Sequence, residues 1–195
     1  MKLTFDSPVV LIFSFACAII YLLSTWDIGN NWFVLINEWN ASTPGWYVRL
    51  FSHTLGHGST QHLLSNMSIL LLIGPIVEKR YGSKNLIFMI LTTALVTGLI
   101  QLIFFKEHLL GASGVVFMLI LLVSMVNFKN KQIPLTFVLI VLLFIGQAIV
   151  GSLDGKEDGI SHSTHIVGGI VGAAFGFMLA GKKAKESEPP DSSVL

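Results

Sequence analysis

Apolar runs long enough to cross a bilayer dominate the sequence and restrict what the chain can fold into. Six runs approach or exceed the length that a helix needs to cross roughly 30 Å of hydrocarbon. They lie at about 8–24, 62–77, 85–105, 109–127, 133–153 and 162–180. Only 12% of the residues are charged and the mean hydropathy is +0.75, which excludes an ordinary soluble domain. The runs predict an all-α membrane protein with six transmembrane helices.

The first run is interpreted as a signal-anchor helix, not as a cleaved signal peptide. Only Lys2 precedes it, no small-x-small cleavage pattern follows it, and five further runs come after it. Residues 1–180 are therefore predicted to form one membrane domain. Residues 181–195 are rich in charged residues, Ser and Pro, which predicts a disordered tail.

The basic residues predict the orientation of the spans. With a cytoplasmic N-terminus, nine of the 12 Lys and Arg residues lie inside: Lys2, Lys79, Arg80, Lys84, Lys129, Lys131, Lys182, Lys183 and Lys185. Because positive charge next to a span resists translocation, we expect both termini in the cytoplasm. The net charge of +1 is spread over several loops and forms no basic patch of the kind that binds nucleic acid.

The loop between the first two runs contains all four tryptophans, Trp26, Trp32, Trp39 and Trp46. Tryptophan prefers the headgroup level of a membrane, where its ring is buried and its N–H stays hydrated. Residues 32–39 are therefore predicted to form a helix that lies in the membrane interface. The alternative is a folded extramembrane loop with a small core.

The fourth run opens with Gly111-Ala112-Ser113-Gly114. The small neighbours leave the serine hydroxyl accessible and let backbone N–H groups approach a substrate carbonyl. Such a tetrapeptide is equally typical of a helix-packing patch in a membrane protein. Alone, it does not distinguish a nucleophile from a packing surface.

The sixth run begins with His162 and His165. His165 shares a helix face with Gly168, Gly172 and Gly176, which follow at spacings of three, four and four residues. Glycines at this spacing let a neighbouring helix come close, so His165 can reach a partner side chain. His165 is favoured over His162, which is interpreted as a hydrogen-bonded interfacial histidine near a loop.

The second run opens with His62 and Asn66, four residues apart on one helix face. Both side chains can donate hydrogen bonds, and polar groups in a span usually turn toward the protein interior. The second, fourth and sixth runs all cross from outside to inside, so the three polar clusters are expected at one depth. Ser113 is predicted about 6 Å below the start of its helix.

Together these groups suit peptide-bond chemistry. A neutral imidazole is the side chain best matched to remove a serine proton near neutral pH, which assigns this step to His165. His62, Asn66 and the Ser113 backbone N–H can stabilise the negative charge that develops on a carbonyl oxygen. A catalytic triad would need Asp154 or Asp158 from the fifth loop, so a Ser-His dyad is the simpler hypothesis.

These motifs resemble those of the rhomboid family of intramembrane serine proteases, which combine a Gly-x-Ser-Gly serine, a histidine on the sixth helix and a His-x-x-x-Asn pair on the second. The resemblance covers about residues 46–180. It implies a rhomboid-like six-helix bundle with an interfacial first loop, Ser113 as nucleophile, His165 as general base, and His62 and Asn66 in the oxyanion hole. It implies no metal or other cofactor.

The resemblance extends to residues with structural or packing roles. These are Gly111, Gly114, Phe117, Gly168, Gly172, Arg49, Glu78 and Arg80. The sequence departs from the family pattern at Val48, where tryptophan often precedes the arginine, and at Phe117, where some bacterial members have tyrosine. Phe117 is still expected to stack on the His165 ring.

The resemblance implies cleavage of transmembrane protein substrates near their outer ends, within the lipid of a bacterial inner membrane. A catalytically silent rhomboid-like protein that binds membrane clients is one alternative, and a related enzyme that processes glycine-glycine C-termini is another. A small channel or transporter is a third, and it should carry polar groups across the whole bilayer depth.

Overall fold

A computed structural model of the protein describes residues 5–36, 38–124 and 166–176, with single helical positions at 135, 138–139, 142–143, 146 and 178. The helices are α1 (Pro8–Ser24), α2 (Pro44–Ser52), α3 (Thr60–Tyr81), α4 (Ser83–Phe104), α5 (Ser113–Ser124) and α6 (Ile166–Gly176). Helical residues occur in all six predicted spans. By length and composition, α3 and α4 could each cross a membrane, whereas α1, α5 and α6 are shorter apolar helices.

The start of α1 is held by a carboxylate from the far end of α3. Val9 and Val10 donate their backbone N–H groups to Glu78 at 3.0 Å each, and the Ser83 hydroxyl donates to it at 2.7 Å. The first N–H groups of a helix have no partner within the helix, and Pro8 at the first position has no N–H at all. Glu78, only 3% exposed, therefore joins α1, α3 and the start of α4.

The main core lies between α1, α3, α4 and α5, and α3 packs against the other three helices. Gly74 allows α3 to approach α1 closely, because a Cβ at this position would lie 2.8 Å from a methyl group of Val10. The most deeply buried apolar side chains of this core include Cys17, Val77, Leu86, Ala112, Val115, Met118, Leu119 and Leu122. After Ser113 and Gly114, all buried side chains of α5 are apolar.

The helix predicted over residues 32–39 is wrong. A short 3₁₀ helix spans Asn30–Trp32, and Leu35 then pairs in antiparallel fashion with Leu109 through N–H···O bonds of 2.8 and 3.0 Å. This long-range pairing satisfies the Leu35 backbone without a helix. The loop helix is α2 instead, where Pro44 occupies one of the first two positions and fits the start of a helix.

The first loop is folded, as the alternative interpretation predicted, around a small core that it shares with α4 and the segment after α4. Its buried side chains are Leu35, Trp46, Leu50, Leu102 and Leu109. Trp46 is 6% exposed, and its indole N–H donates to the Glu38 carbonyl at 2.9 Å. Val48, by contrast, is 46% exposed. The tryptophan that anchors this loop therefore lies two residues before Val48.

Candidate active site

Ser113 is the first residue of α5, and not a residue one turn inside it as the sequence predicted. The helix starts late because Leu109 is engaged by Leu35 and because Gly111 has a φ of +123°, a left-handed conformation that favours glycine. Ser113 is 9% exposed. As the first helical residue, it has a backbone N–H with no acceptor inside the helix, at the positive end of the helix dipole.

His62 lies directly against the turn that precedes Ser113. A Cβ built on Gly111 would be 2.6 Å from His62 Cε1 and 2.7 Å from His62 Nε2, so the imidazole occupies the space that any larger residue would fill. The His62 side chain is half-buried at the start of α3. The structure thus brings one predicted oxyanion donor next to the Gly-x-Ser-Gly turn.

Asn66, one turn after His62, is 6% exposed and contacts a histidine that the sequence reasoning missed. The Asn66 Nδ2 atom lies 3.2 Å from His57 Nε2, and His57 Nδ1 lies 3.2 Å from the Leu55 carbonyl oxygen. The rings of His57 and His62 meet edge to face at 5.0 Å. The repeated histidines at positions 53, 57 and 62, ahead of Asn66, were the sequence signal for this cluster.

The His57 ring is neutral at neutral pH, and its tautomer follows from its partners. Burial, together with the adjacent His62, lowers the pKa of His57 from 6.5 to about 4. A carbonyl oxygen can only accept, so Nδ1 carries the proton and donates to Leu55. Nε2 is then an acceptor, and the Asn66 amide donates to it.

His53 ties the first loop to the turn before Ser113. Its backbone carbonyl accepts the Gly111 N–H at 2.8 Å, and its Nε2 lies 3.1 Å from the Ala94 carbonyl oxygen on α4. The side chain is fully buried, and burial lowers its pKa to about 4. Among the described residues, His53 Nδ1 has no hydrogen-bond partner.

Helix α6 crosses α5 at backbone-to-backbone distance. A Cβ on Gly168 would lie 2.7 Å from the Gly114 Cα, and a Cβ on Gly172 would lie 2.6 Å from the Met118 carbonyl oxygen. Because both pairs advance by four residues in the same direction, α5 and α6 run parallel. His162, His165, Asp154 and Asp158 lie outside the described residues, and α6 begins at Ile166, directly after His165.

Four other residues singled out in the sequence lie outside the cluster of His57, His62 and Asn66. Phe117, 7% exposed, follows Ser113 by one turn of α5. Glu78 and Arg80 lie at the opposite end of α3 from His62, about 24 Å or more along the helix at 1.5 Å per residue. Arg49 lies on α2 in the first loop, where its Nε is buried.

A family model for the rhomboid domain matches residues 44–182, which include Ser113, His165, His62 and Asn66. The chain belongs to the rhomboid family. This rhomboid is 28% identical over 179 residues to the rhomboid protease GlpG of Haemophilus influenzae, an alignment that covers 89% of this chain and 91% of that protein. The family resemblance predicted from the motifs is thereby confirmed, and the rhomboid is an integral membrane protein.

Proposed function

We propose that this rhomboid is an intramembrane serine protease that hydrolyses peptide bonds of transmembrane protein substrates near the outer face of the membrane. The observation that carries the proposal is the position of Ser113 at the N-terminus of α5, with the His62 ring against the turn before it. A hydroxyl, a backbone N–H at a helix N-terminus and an imidazole donor are the parts that acyl transfer needs. The similarity to a rhomboid protease over most of the chain supports the same reaction.

In the proposed mechanism, the Ser113 hydroxyl oxygen attacks the substrate carbonyl carbon and its proton passes to His165. The oxyanion accepts hydrogen bonds from the Ser113 N–H, His62 and Asn66. When the tetrahedral intermediate collapses, His165 gives the proton to the leaving amine and an acyl-enzyme remains. A water molecule, activated by the same imidazole, then releases the second product and restores the serine.

The packing of α6 supports His165 as the base. Gly168 contacts Gly114, the residue after the nucleophile, and His165 precedes Gly168 by three residues, which is less than one helical turn. Ile166 and Ser113 therefore begin two parallel, tightly packed helices at neighbouring ends, and we propose that His165, the residue before Ile166, reaches the serine. Phe117, one turn below Ser113, is proposed to stack on the His165 ring.

In the proposed orientation the protein lies in a bacterial inner membrane with both termini on the cytoplasmic side. The start of α5 then lies near the outer face. The excess of Lys and Arg in the predicted cytoplasmic segments supports this orientation. The buried surface of α5 beyond Ser113 is apolar, which supports a site that substrate and water reach from the outer face. The same surface argues against a channel, which needs polar groups at every depth.

The test compares wild type, Ser113→Ala, His165→Ala and the matched control Ser124→Ala in liposomes that contain a fluorescent single-span substrate. Ser124 closes the same helix, and its hydroxyl bonds only to the Ile120 carbonyl at 2.8 Å among the described residues, so its loss should leave cleavage unchanged. Loss of Ser113 or His165 should lower the rate by about 10³-fold or more. Cleavage by Ser113→Ala at the wild-type rate would overturn the proposal.

Labelling by an alkyl fluorophosphonate, which reacts with activated serine hydroxyls, gives an independent measurement. Wild type and Ser124→Ala should be labelled, whereas Ser113→Ala should not. A wild-type protein that neither cleaves nor labels, yet copurifies with membrane clients, would favour the silent client-binding alternative.

A further inference from the structure

We propose that His57 is a positioning residue that fixes which end of the Asn66 amide faces the oxyanion. The inference rests on the proposed protease function and adds to the site a residue that does not touch the substrate. It depends on the hydrogen bond between Asn66 Nδ2 and His57 Nε2, and on the bond that holds His57 to the Leu55 carbonyl.

The Asn66 amide has two chemically opposite ends. Its Nδ2 carries two N–H donors, whereas its Oδ1 can only accept hydrogen bonds. Rotation about the last side-chain bond of asparagine is broad and roughly two-fold, so the covalent structure does not choose between the two orientations. Turned one way, the amide stabilises an oxyanion, and turned the other way, it repels one.

His57 makes this choice because only one of its ring nitrogens is an acceptor. Nδ1 donates to the Leu55 carbonyl at 3.2 Å, which leaves Nε2 to accept, and only the Nδ2 end of Asn66 can satisfy it. One Nδ2 proton binds His57, and the second remains for a substrate oxygen. Both side chains are nearly fully buried, 4% exposed for His57 and 6% for Asn66, so water does not compete for these bonds.

The surroundings of His57 keep it an acceptor under ordinary conditions. Among the described residues, the titratable group that faces it is His62 on α3, with ring centroids 5.0 Å apart. A second proton on His57 would create a cation in a buried space, against the His62 ring. Burial and the neighbouring imidazole therefore favour the neutral ring, and the loop carbonyl selects the tautomer in which Nδ1 carries the proton and Nε2 does not.

Two substitutions that differ by one methylene separate this role from a structural one. His57→Asn puts its amide where Nδ1 stands, which keeps the bond to Leu55 but leaves Asn66 without its acceptor. His57→Gln extends to the position of Nε2, where its carbonyl oxygen can still accept from Asn66 Nδ2. We expect His57→Asn to lower kcat by about 10- to 100-fold with little change in KM, since loss of a whole oxyanion donor costs about 10²- to 10³-fold.

The expected result is that His57→Gln recovers kcat to within a few-fold of wild type, although it lacks the bond to Leu55. In an Asn66→Ala background, His57→Asn should lower kcat no further, because a residue that acts only through Asn66 has nothing left to position. Multiplicative losses in the double variant would overturn the inference, and so would equal kcat values for His57→Asn and wild type. A thermal unfolding scan of each variant confirms that folded enzymes are compared.

If the proposed protease function is wrong, the assays give a different result from the one that contradicts the role of His57. In that case wild type and Ser113→Ala would be equally inactive, and no His57 variant would change the rate. If wild type cleaves and Ser113→Ala does not, the His57 and Asn66 variants test the inference alone.

Discussion

A single methyl group at Gly168 should disrupt the proposed active site, whereas the same methyl at Gly169 should not. The Cβ of Gly168→Ala would lie 2.7 Å from the Cα and 2.8 Å from the carbonyl carbon of Gly114. Both atoms belong to the backbone and cannot rotate away. Ordinary contact begins at 3.4 Å, so α5 and α6 must separate by at least 0.7 Å, the difference between 3.4 and 2.7 Å.

The cost of this separation can be divided into stability and activity. Overpacking of a well-filled interface costs typically about 1–3 kcal/mol, and the higher helix propensity of alanine offsets up to about 1 kcal/mol of it. The melting temperature should therefore fall by only a few degrees. Activity should suffer more, because a misplacement of about 1 Å between reacting groups can cost about 100-fold in rate. We expect kcat to fall about tenfold or more.

Gly169→Ala is the matched control, one residue further along the same helix. The nearest atom to its Cβ would be Leu121 Cδ1 at 3.3 Å, the end of a flexible side chain that can move by a few tenths of an ångström. The assay is kcat for a reconstituted transmembrane substrate together with thermal unfolding in detergent. Equal kcat values for Gly168→Ala and Gly169→Ala would refute the conclusion that the contact between α5 and α6 sets the catalytic geometry.

Two further predictions concern stability. Glu78→Gln should lower the free energy of unfolding by about 1–3 kcal/mol, because a neutral acceptor replaces the carboxylate that accepts two backbone N–H groups of α1. Thermal unfolding measures this loss. Glu107 is exposed, so the control variant Glu107→Gln should be as stable as wild type. The protein should also lose stability as the pH falls from about 6.5 to about 4. In that window His53 and His57 bind protons in the unfolded chain but not in the folded protein. The free energy of unfolding should therefore fall by on the order of 3 kcal/mol for each ring.

The outcomes that would contradict these predictions are specific. Identical melting temperatures for Glu78→Gln and Glu107→Gln would show that the cap on α1 contributes nothing to stability. For the acid transition, the double variant His53→Gln/His57→Gln should have a flatter dependence of melting temperature on pH. An unchanged slope would assign the acid sensitivity to other groups.

The features of the protein that could be predicted from the sequence are those that local sequence patterns determine. Apolar runs predicted the helices, and four separated motifs predicted the family, which the family comparison confirms. The spacing of His62 and Asn66 predicted that they share a helix face, and the structure brings the first against Gly111 and the second against His57. The shared face follows from helical periodicity, whereas the partner of each side chain does not.

The parts that could not be predicted depend on contacts distant in sequence. The tryptophan pattern over 32–39 indicated a helix, yet Leu35 takes its partner from Leu109, and no local window contains that information. The same pairing moved the start of α5 to Ser113. His57 was missed because its importance comes from a loop that turns its Nε2 toward Asn66, a geometry that histidine spacing alone does not specify.

The pairing of Leu35 with Leu109 also sets an order of assembly. The two residues are 74 positions apart, 109 minus 35, and α3 and α4 both lie between them. As the chain is synthesised from its N-terminus, the first loop forms before its partner segment does, and its backbone groups must bind water until then. Closing so long a segment is entropically unfavourable until the intervening helices have packed. The turn before Ser113 is therefore completed late, so a partly inserted chain lacks the assembled geometry of the proposed nucleophile.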